Sequence, residues 1–286
     1  MNKSKWFLLS QHTLPQHFLS RVMGLLTNCK IKVVKNYCIN KFIKKYQVNM
    51  QEAQYESSVE YQSFNDFFTR KLKVGARSII SDDNTIICPV DGSISQLGQI
   101  VDGQLIQAKG FNFTAQNLLG GEQSLAEKFQ HGLFATLYLS PKDYHCIHMP
   151  YDGRLKKMLY IPGKLFSVNQ LTAANVPNLF ARNERVVCIF DTAFGEMAIV
   201  LVGAFFVASI HTTWAGKITP GIKRQITEVT YDQQPIFLKK GELLGHFELG
   251  STVIILLPAN VAQFDQQFVQ QEVIKMGQAM LNLLLP

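Results

Sequence analysis

Alternating apolar and polar positions from about residue 79 onward predict a β-rich body. Short runs of β-branched and aromatic residues are separated by Asp-Gly and Pro-Gly pairs, which favour tight turns. Eight strands are predicted, at residues 86–88, 93–100, 104–108, 133–139, 155–160, 186–191, 197–210 and 253–257. Helices are predicted at 115–119 and 124–130, with a C-terminal helix at 267–284. The fold class is therefore α+β, with a mainly antiparallel β core.

The first fifty residues repeat their apolar positions at helical spacing instead. Thr13 and Gln16 form a predicted capping box before a first helix. A second helix is predicted to have one apolar face, and its lysines lie largely off that face. The apolar face consists of Ile31, Val34, Cys38, Phe42 and Tyr46. A polar linker follows, and Ser63 is predicted to cap a short helix that contains three phenylalanines.

The net charge of +7 is concentrated in this helical part of the chain. Residues 1–50 hold nine of the 28 lysines and arginines and none of the 21 acidic residues. Residues 1–62 are therefore predicted to be a basic amphipathic segment that binds an anionic membrane surface. A helical hairpin docked on the core with a solvated lysine face is the alternative. No nucleic acid partner is predicted, because aromatic residues are not interleaved with the lysines.

The composition of the chain limits which class of protein it can be. A chain of 286 residues with 47% hydrophobic content can bury a core as one large domain or as one domain plus an extension. Its five cysteines are scattered and lack a Cys-x-x-Cys pair, which favours a reducing compartment. We expect no signal peptide, and the longest apolar run, residues 197–210, is shorter than a membrane span.

Three segments of the β-rich part carry candidate catalytic residues. Asp91 follows one apolar strand, His145 and His148 follow another, and Ser251 precedes the run at 253–257. Two histidines beside Cys146 could suggest a metal, but no further group has ligand spacing, so no metal site is predicted. An Asp, a His and a Ser together supply the parts of a nucleophilic triad.

Such a triad has two possible targets. Acting on an outside ester it would make a serine hydrolase, although the Gly-x-Ser-x-Gly elbow is missing. Acting on its own backbone, the Ser251 hydroxyl would attack the unshielded Gly250 carbonyl and form an ester. Elimination from that ester would cut the chain and leave a dehydroalanine in place of Ser251, which would hydrolyse to a pyruvoyl group. A catalytically inactive membrane-binding scaffold is a third interpretation.

The segments resemble those of bacterial phosphatidylserine decarboxylases, in matching order from Phe64 to the end. Three signature segments match, Pro89 to Gly92, Tyr144 to Pro150 and Leu249 to Thr252. Further matches are Phe67 to Arg70, Phe166 to Asn169, residues 175–187 and Trp214 to Gly216. Two positions depart from the family pattern, although neither is a signature position. Cys146 stands between the two histidines, where other members vary, and His211 stands where an acid is common.

The resemblance implies a proenzyme that cuts itself between Gly250 and Ser251. A β chain, residues 1–250, and an α chain, residues 251–286, would stay associated as a heterodimer, with further dimerisation left open. His148 would be the base for cleavage, Asp91 its orienting partner, and His145 the histidine of decarboxylation. The pyruvoyl cofactor from Ser251 would take up the amine of phosphatidylserine and the electrons released as CO2 leaves, giving phosphatidylethanolamine.

The same resemblance implies a function for each of the two parts of the chain. Residues 63–286 would form the catalytic domain. Residues 1–62 would hold it on a surface that contains the anionic lipid substrate. We therefore expect a peripheral protein on the cytoplasmic face of the inner membrane.

Overall fold

The computed structural model describes residues 3–108, 110–205, 209–219, 225–248 and 251–284. Its first elements are the helices α1 (Lys3–Thr13), α2 (Gln16–Thr27), α3 (Lys32–Tyr46) and α4 (Phe64–Phe68). Ser63 caps α4, since its hydroxyl accepts a hydrogen bond from the Asp66 N–H at 3.1 Å. The helical character of the N-terminal segment and the Ser63 cap are both confirmed.

The predicted capping box is wrong. Thr13 ends α1, and its hydroxyl donates to the Leu9 carbonyl at 3.2 Å. Gln16 turns its side-chain oxygen away from the helix end and accepts from the Leu165 N–H at 2.8 Å. The preceding residue is Pro15, which has no N–H to satisfy and whose fixed φ suits a helix start. Pro15 therefore occupies the N-cap position of α2, which starts at Gln16 without a side-chain cap.

The buried face of α3 also differs from the predicted one. Lys35 and Ile39 are its buried residues, whereas Val34 is 46% exposed. The Lys35 ammonium donates to the Ser58 carbonyl at 3.1 Å. The polar linker thus folds back over α3 and supplies an acceptor, which lets a lysine be buried where the apolar pattern placed it at the surface.

The strands and the later helices of the described residues alternate along the rest of the chain. The strands are β1 (Thr85–Ile87), β2 (Gly92–Gln99), β3 (Gln104–Ala108), β4 (Phe111–Thr114), β5 (Leu133–Leu139), β6 (Cys146–His148), β7 (Gly153–Ile161), β8 (Arg185–Thr192), β9 (Gly195–Val202), β10 (Ser209–Thr212), β11 (Gly216–Lys217), β12 (Thr227–Thr230), β13 (Ile236–Leu238), β14 (Leu243–Glu248), β15 (Ser251–Leu257), β16 (Ala262–Phe264), β17 (Val273–Ile274) and β18 (Ala279–Leu283). The helices are α5 (Ala115–Leu118), α6 (Gln123–Glu127), α7 (Gln170–Ala173) and α8 (Leu179–Arg182). The pairings between these strands are antiparallel, so the predicted fold class is confirmed.

One large sheet organises the core. Its strand order is β12-β7-β8-β9-β15-β5-β2-β17, with β13 also paired to β7. β15 lies in the interior between β9 and β5, and all seven of its residues are buried. Val253 and Ile255 pack on one face of the sheet, and Ile254 and Leu256 pack on the other. Burial on both faces explains why this strand is a continuous apolar run.

A four-stranded sheet, ordered β11-β10-β14-β6, packs against the first of these faces. Its residues Ile147, Ile210, Leu244 and Phe247 belong to the same apolar cluster as Val253. Two further sheets, β1-β18-β16 and β3-β4, complete the described strands. The core therefore has sheet-on-sheet packing beside the end of β6, where the candidate histidines lie.

The predicted C-terminal helix is wrong, because that segment forms β17 and β18. Gly277 has a φ of +92°, and a Cβ at that position would lie 2.4 Å from the Ser78 carbonyl oxygen. Gln271 also has a left-handed φ, of +69°. Left-handed residues interrupt a helix, and β18 instead pairs with β1 and β16. The predicted strand at 197–210 is divided into β9 and β10, and residues 206–208 lie outside the described part.

Candidate active site

The first residues of β2 and β15 lie at one edge of the large sheet, on either side of the end of β5. Ser251, which begins β15, pairs with Leu139, the last residue of β5. On the other side of β5, Ser93 of β2 pairs with Tyr138. Asp91 immediately precedes β2 and is therefore brought to the edge at which β15 begins.

Gly92 permits the close approach of β2 to β5 at this edge. A Cβ on Gly92 would lie 2.3 Å from the Tyr138 carbonyl oxygen, a distance at which the two atoms overlap. A larger residue would have to push the two strands apart. The glycine after Asp91 is thus a steric requirement of the site.

His145 lies between β5 and β6 and is fully buried. Its Nδ1 donates a hydrogen bond to the Asp143 carbonyl oxygen at 2.8 Å, and because a carbonyl can only accept, the ring proton is on Nδ1. Nε2 then carries the lone pair, and it has no hydrogen-bond partner among the described residues. Burial lowers the pKa of His145 to about 3, so the ring is neutral at pH 7.

Two side chains at the end of α4 hold His145 in position. The Phe68 ring lies 4.1 Å from the His145 ring, measured between centroids. The Arg70 Nη2 donates to the carbonyl oxygens of Lys142 at 2.9 Å and Asp143 at 3.3 Å. The Asp143 carbonyl therefore accepts from both Arg70 and His145. Burial lowers the pKa of Arg70.

His148 is the last residue of β6. Its Nδ1 donates to the Gly241 carbonyl oxygen at 2.8 Å, and its Nε2 accepts from the Tyr144 hydroxyl at 3.0 Å. Burial lowers the pKa of His148, although the bond to Gly241 and the charge of Asp91 oppose this shift. Both histidines thus present neutral rings whose Nε2 atoms can accept a proton.

Asp91 is held as a carboxylate by charged neighbours. One oxygen accepts from Arg77 Nε at 2.9 Å and from the Met276 N–H at 3.0 Å. The other accepts from Lys275 Nζ at 3.1 Å and from Arg77 Nη2. Burial by itself raises the pKa of Asp91, but the hydrogen bonds from Arg77 and Met276 bring it below its usual value. Arg77 also donates to Glu52 at 2.6 Å.

Ser251 is fully buried, and its hydroxyl has no hydrogen-bond partner among the described residues. Because side chains alternate along a strand, Ser251 shares a face of β15 with Val253 and Ile255. Those two residues pack with Ile147 of β6. The hydroxyl is therefore on the side of the large sheet that carries the histidines. The predicted cleavage residue Gly250 lies outside the described residues.

A cavity of about 790 Å³ adjoins these groups. Its lining includes Tyr144, His148, Arg77 and Met276, and the last two also bind Asp91. Within the described residues, no hydrogen bond joins Asp91 to His148 or either histidine to Ser251. The cavity thus adjoins His148 and two residues that bind Asp91, while the pairing of Asp91, His148 and Ser251 as a triad stays a prediction.

Comparisons with known proteins assign the family. A family model described as phosphatidylserine decarboxylase matches residues 64–282, and a second, described as PSD, matches residues 6–47. The chain is 53% identical over 283 residues to the phosphatidylserine decarboxylase proenzyme of Ectopseudomonas mendocina (strain ymp), covering 98% of this chain and 99% of that protein. The chain belongs to the phosphatidylserine decarboxylase family. The proenzyme of that name from Pseudoalteromonas translucida (strain TAC 125) is 55% identical over 258 residues, covering 89% of this chain and 90% of that protein.

Membership of the phosphatidylserine decarboxylase family confirms the resemblance carried by the signature segments. Sequence reasoning nevertheless missed several residues of the site. Arg77 and Lys275 bind Asp91 from 14 and 184 residues away, and no motif marked either of them. Tyr144 and Arg70 lie within segments that match the family, and nothing else in the sequence indicated that they belong to the site.

Proposed function

We propose that this chain converts phosphatidylserine to phosphatidylethanolamine and CO2, using a pyruvoyl group made from Ser251. One observation carries the proposal: Ser251 begins an interior strand with a fully buried hydroxyl that has no hydrogen-bond partner among the described residues, on the side of the large sheet against which β6 packs. Buried polar atoms are normally paired, so an unpaired hydroxyl at this place is a candidate reactive group. Ser251 is a fitting source for the cofactor on that ground.

Formation of the cofactor begins with self-cleavage. The Ser251 hydroxyl attacks the Gly250 carbonyl after a base removes its proton. His148 is proposed as this base, since its Nδ1–H is held by Gly241 and its Nε2 lone pair accepts, within the described part of the chain, from the Tyr144 hydroxyl alone. Asp91 acts as the orienting partner through its charge, which favours the protonated imidazole that forms during the attack.

The two products of cleavage are held together by the fold. β15 would belong to the α chain, yet it lies between β9 and β5 of the β chain with all its residues buried. Lys275 and Met276 of the α chain also bind Asp91 of the β chain. We therefore propose that residues 1–250 and 251–286 stay associated as a heterodimer after the bond is cut.

The pyruvoyl group, once formed, supplies the carbonyl that binds the substrate amine and accepts the electrons left by CO2. His145 is proposed to accept on its Nε2 a proton that the substrate ammonium loses when it joins the carbonyl, and to return that proton to the substrate carbon after CO2 leaves. Its Nε2 lone pair has no partner among the described residues, while Asp143, Phe68 and Arg70 fix the ring. Exclusion of water around the buried ring favours this transfer over proton exchange with solvent.

Residues 1–62 are proposed to bind the anionic membrane surface and residues 63–286 to form the catalytic domain. The first three helices leave large apolar side chains in solvent: Trp6 is 59% exposed, Phe18 64%, Leu25 78% and Val33 81%. Apolar side chains among lysines suit the interface of an anionic bilayer. No helix in the described residues is long and apolar enough to cross a membrane. We propose a peripheral location on the cytoplasmic face of the inner membrane.

Intact mass spectrometry of the purified protein, before and after borohydride treatment, tests the central step. We expect two chains that divide after Gly250, the smaller one lacking a free amine and gaining mass when its ketone is reduced. A single full-length chain that reacts with a serine-directed phosphonate would instead indicate a serine hydrolase.

Two substitutions separate the proposed roles of the histidines. His148→Ala should leave the chain uncut, whereas His145→Ala should be cut and yet release no CO2 from phosphatidylserine vesicles. The reverse pattern would overturn the assignment.

A further inference from the structure

Three potential metal ligands converge on one face of the four-stranded sheet. His211 of β10 lies directly opposite His246 of β14. Glu248 is two residues further along β14, so its side chain lies on the same face. The candidate ligand atoms of the three residues all lie within 4.8 Å of one another. None of these residues has a part in the proposed reaction.

We propose that His211, His246 and Glu248 bind a divalent transition-metal ion of the zinc class. The Nε2 of His211 and the Oε1 of Glu248 are 3.1 Å apart. A tetrahedral zinc ion with bonds of about 2.0–2.1 Å holds neighbouring ligand atoms about 3.3 Å apart. The ion can therefore take the place of the proton between these two atoms with little movement of either side chain.

The third ligand is within reach of the same ion. The His246 ring stacks on the His211 ring, with centroids 4.5 Å apart and planes inclined by 14°, so the His246 ring must turn about its side-chain torsions before its nitrogen points at the ion. Two imidazoles and one carboxylate form a known zinc ligand set that leaves a fourth position for water. Such an ion would cross-link β10 to β14.

An ion pair is the competing explanation of this cluster. Lys217 Nζ lies 3.3 Å from the second oxygen of Glu248, and a protonated His211 would pair with the first. The Lys217 side chain is 49% exposed and can swing into solvent. The two explanations differ in what Lys217 does. In an ion-pair cluster it stabilises the carboxylate, whereas in a metal site its charge repels the incoming cation.

The full-length protein, freed of metal with a chelator, can be titrated with Zn²⁺ by calorimetry and with Co²⁺ by visible absorption. We expect one equivalent to bind, with cobalt bands in the visible and no thiolate band in the near ultraviolet. His246→Ala and Glu248→Gln should each weaken the affinity by about tenfold or more. His131→Ala is the matched control, since that histidine is exposed elsewhere and should bind zinc as the wild type does.

Lys217→Met gives a test that misfolding cannot imitate, because the metal site predicts a gain. Removing a positive charge beside the carboxylate should tighten Zn²⁺ binding by about fivefold. The proposal is overturned if the wild-type protein binds no equivalent, if His246→Ala binds as tightly as the wild type, or if Lys217→Met leaves the affinity unchanged.

Discussion

The carboxylate of Asp91 offers a sharp test, because it has an observed structural task as well as a proposed catalytic one. We consider Asp91→Asn in the uncut Ser251→Ala chain, where cleavage cannot complicate unfolding. The asparagine keeps an oxygen for the Met276 N–H but loses its charge. The Arg77 side chain, only 7% exposed, is then left with Glu52 as its carboxylate partner.

The expected loss follows from the burial of this pair. Removing one partner of a buried ion pair costs about 3–5 kcal/mol. Because Glu52 still neutralises Arg77 and the Met276 N–H keeps an acceptor, we expect the lower end, about 3 kcal/mol. At about 2–4 °C per kcal/mol for a protein of this size, the melting temperature should fall by about 6–12 °C.

Urea unfolding followed by circular dichroism measures this loss, with Arg77→Met as the partner in a double-mutant cycle. The two substitutions together should cost less than the sum of their separate costs by about 1–3 kcal/mol. Strictly additive costs, or a loss below about 1 kcal/mol for Asp91→Asn, would refute the buried network described here.

The catalytic role can be separated from this structural one in the chain that retains Ser251. Arg77→Met disturbs the same network but leaves the Asp91 carboxylate, so it serves as the matched control. We expect Asp91→Asn to stop self-cleavage and Arg77→Met to slow it. Equal cleavage rates in the two variants would refute the orienting role of Asp91.

Three further results are expected. Ser251→Ala should leave the chain uncut with an unchanged or higher melting temperature, because the hydroxyl that it removes has no partner among the described residues. A loss of more than about 1 kcal/mol in the free energy of unfolding would show that the hydroxyl is bonded. Stability should decrease as the pH is lowered, because burial holds the pKa of His145 at about 3 in the folded chain, whereas it is about 6.5 in the unfolded chain. The unfolded state therefore takes up the proton first, and the free energy of unfolding should fall by about 2 kcal/mol between pH 7.5 and pH 5; His145→Gln should remove this contribution, and an unchanged slope in urea titrations would contradict it. Gly92→Ala should block or slow self-cleavage, because the alanine Cβ would overlap the Tyr138 carbonyl oxygen and overpacking of this kind costs about 1–3 kcal/mol of stability. A denaturing gel measures the fraction of chain that is cut. Cleavage at the wild-type rate would show that β2 and β5 can separate freely.

The sequence by itself determined the strands that carry the site. β5 was predicted residue for residue and β15 to within two residues, because each is a continuous apolar run bounded by polar or turn-forming residues. Asp91, His145, His148 and Ser251 could be singled out because each stands next to such a run. Family signatures then gave these residues their expected roles, and the comparisons confirmed the family.

Only the tertiary structure decided what surrounds those residues. Residues 267–284 have a pattern compatible with a helix, but β18 forms because its partner β1 lies about two hundred positions away along the chain. Lys35 is buried because the linker supplies a carbonyl at Ser58. The cluster of His211 with His246 arises from the register of β10 on β14. In each case the deciding contact joins distant segments, and local periodicity carries no information about which segments will meet.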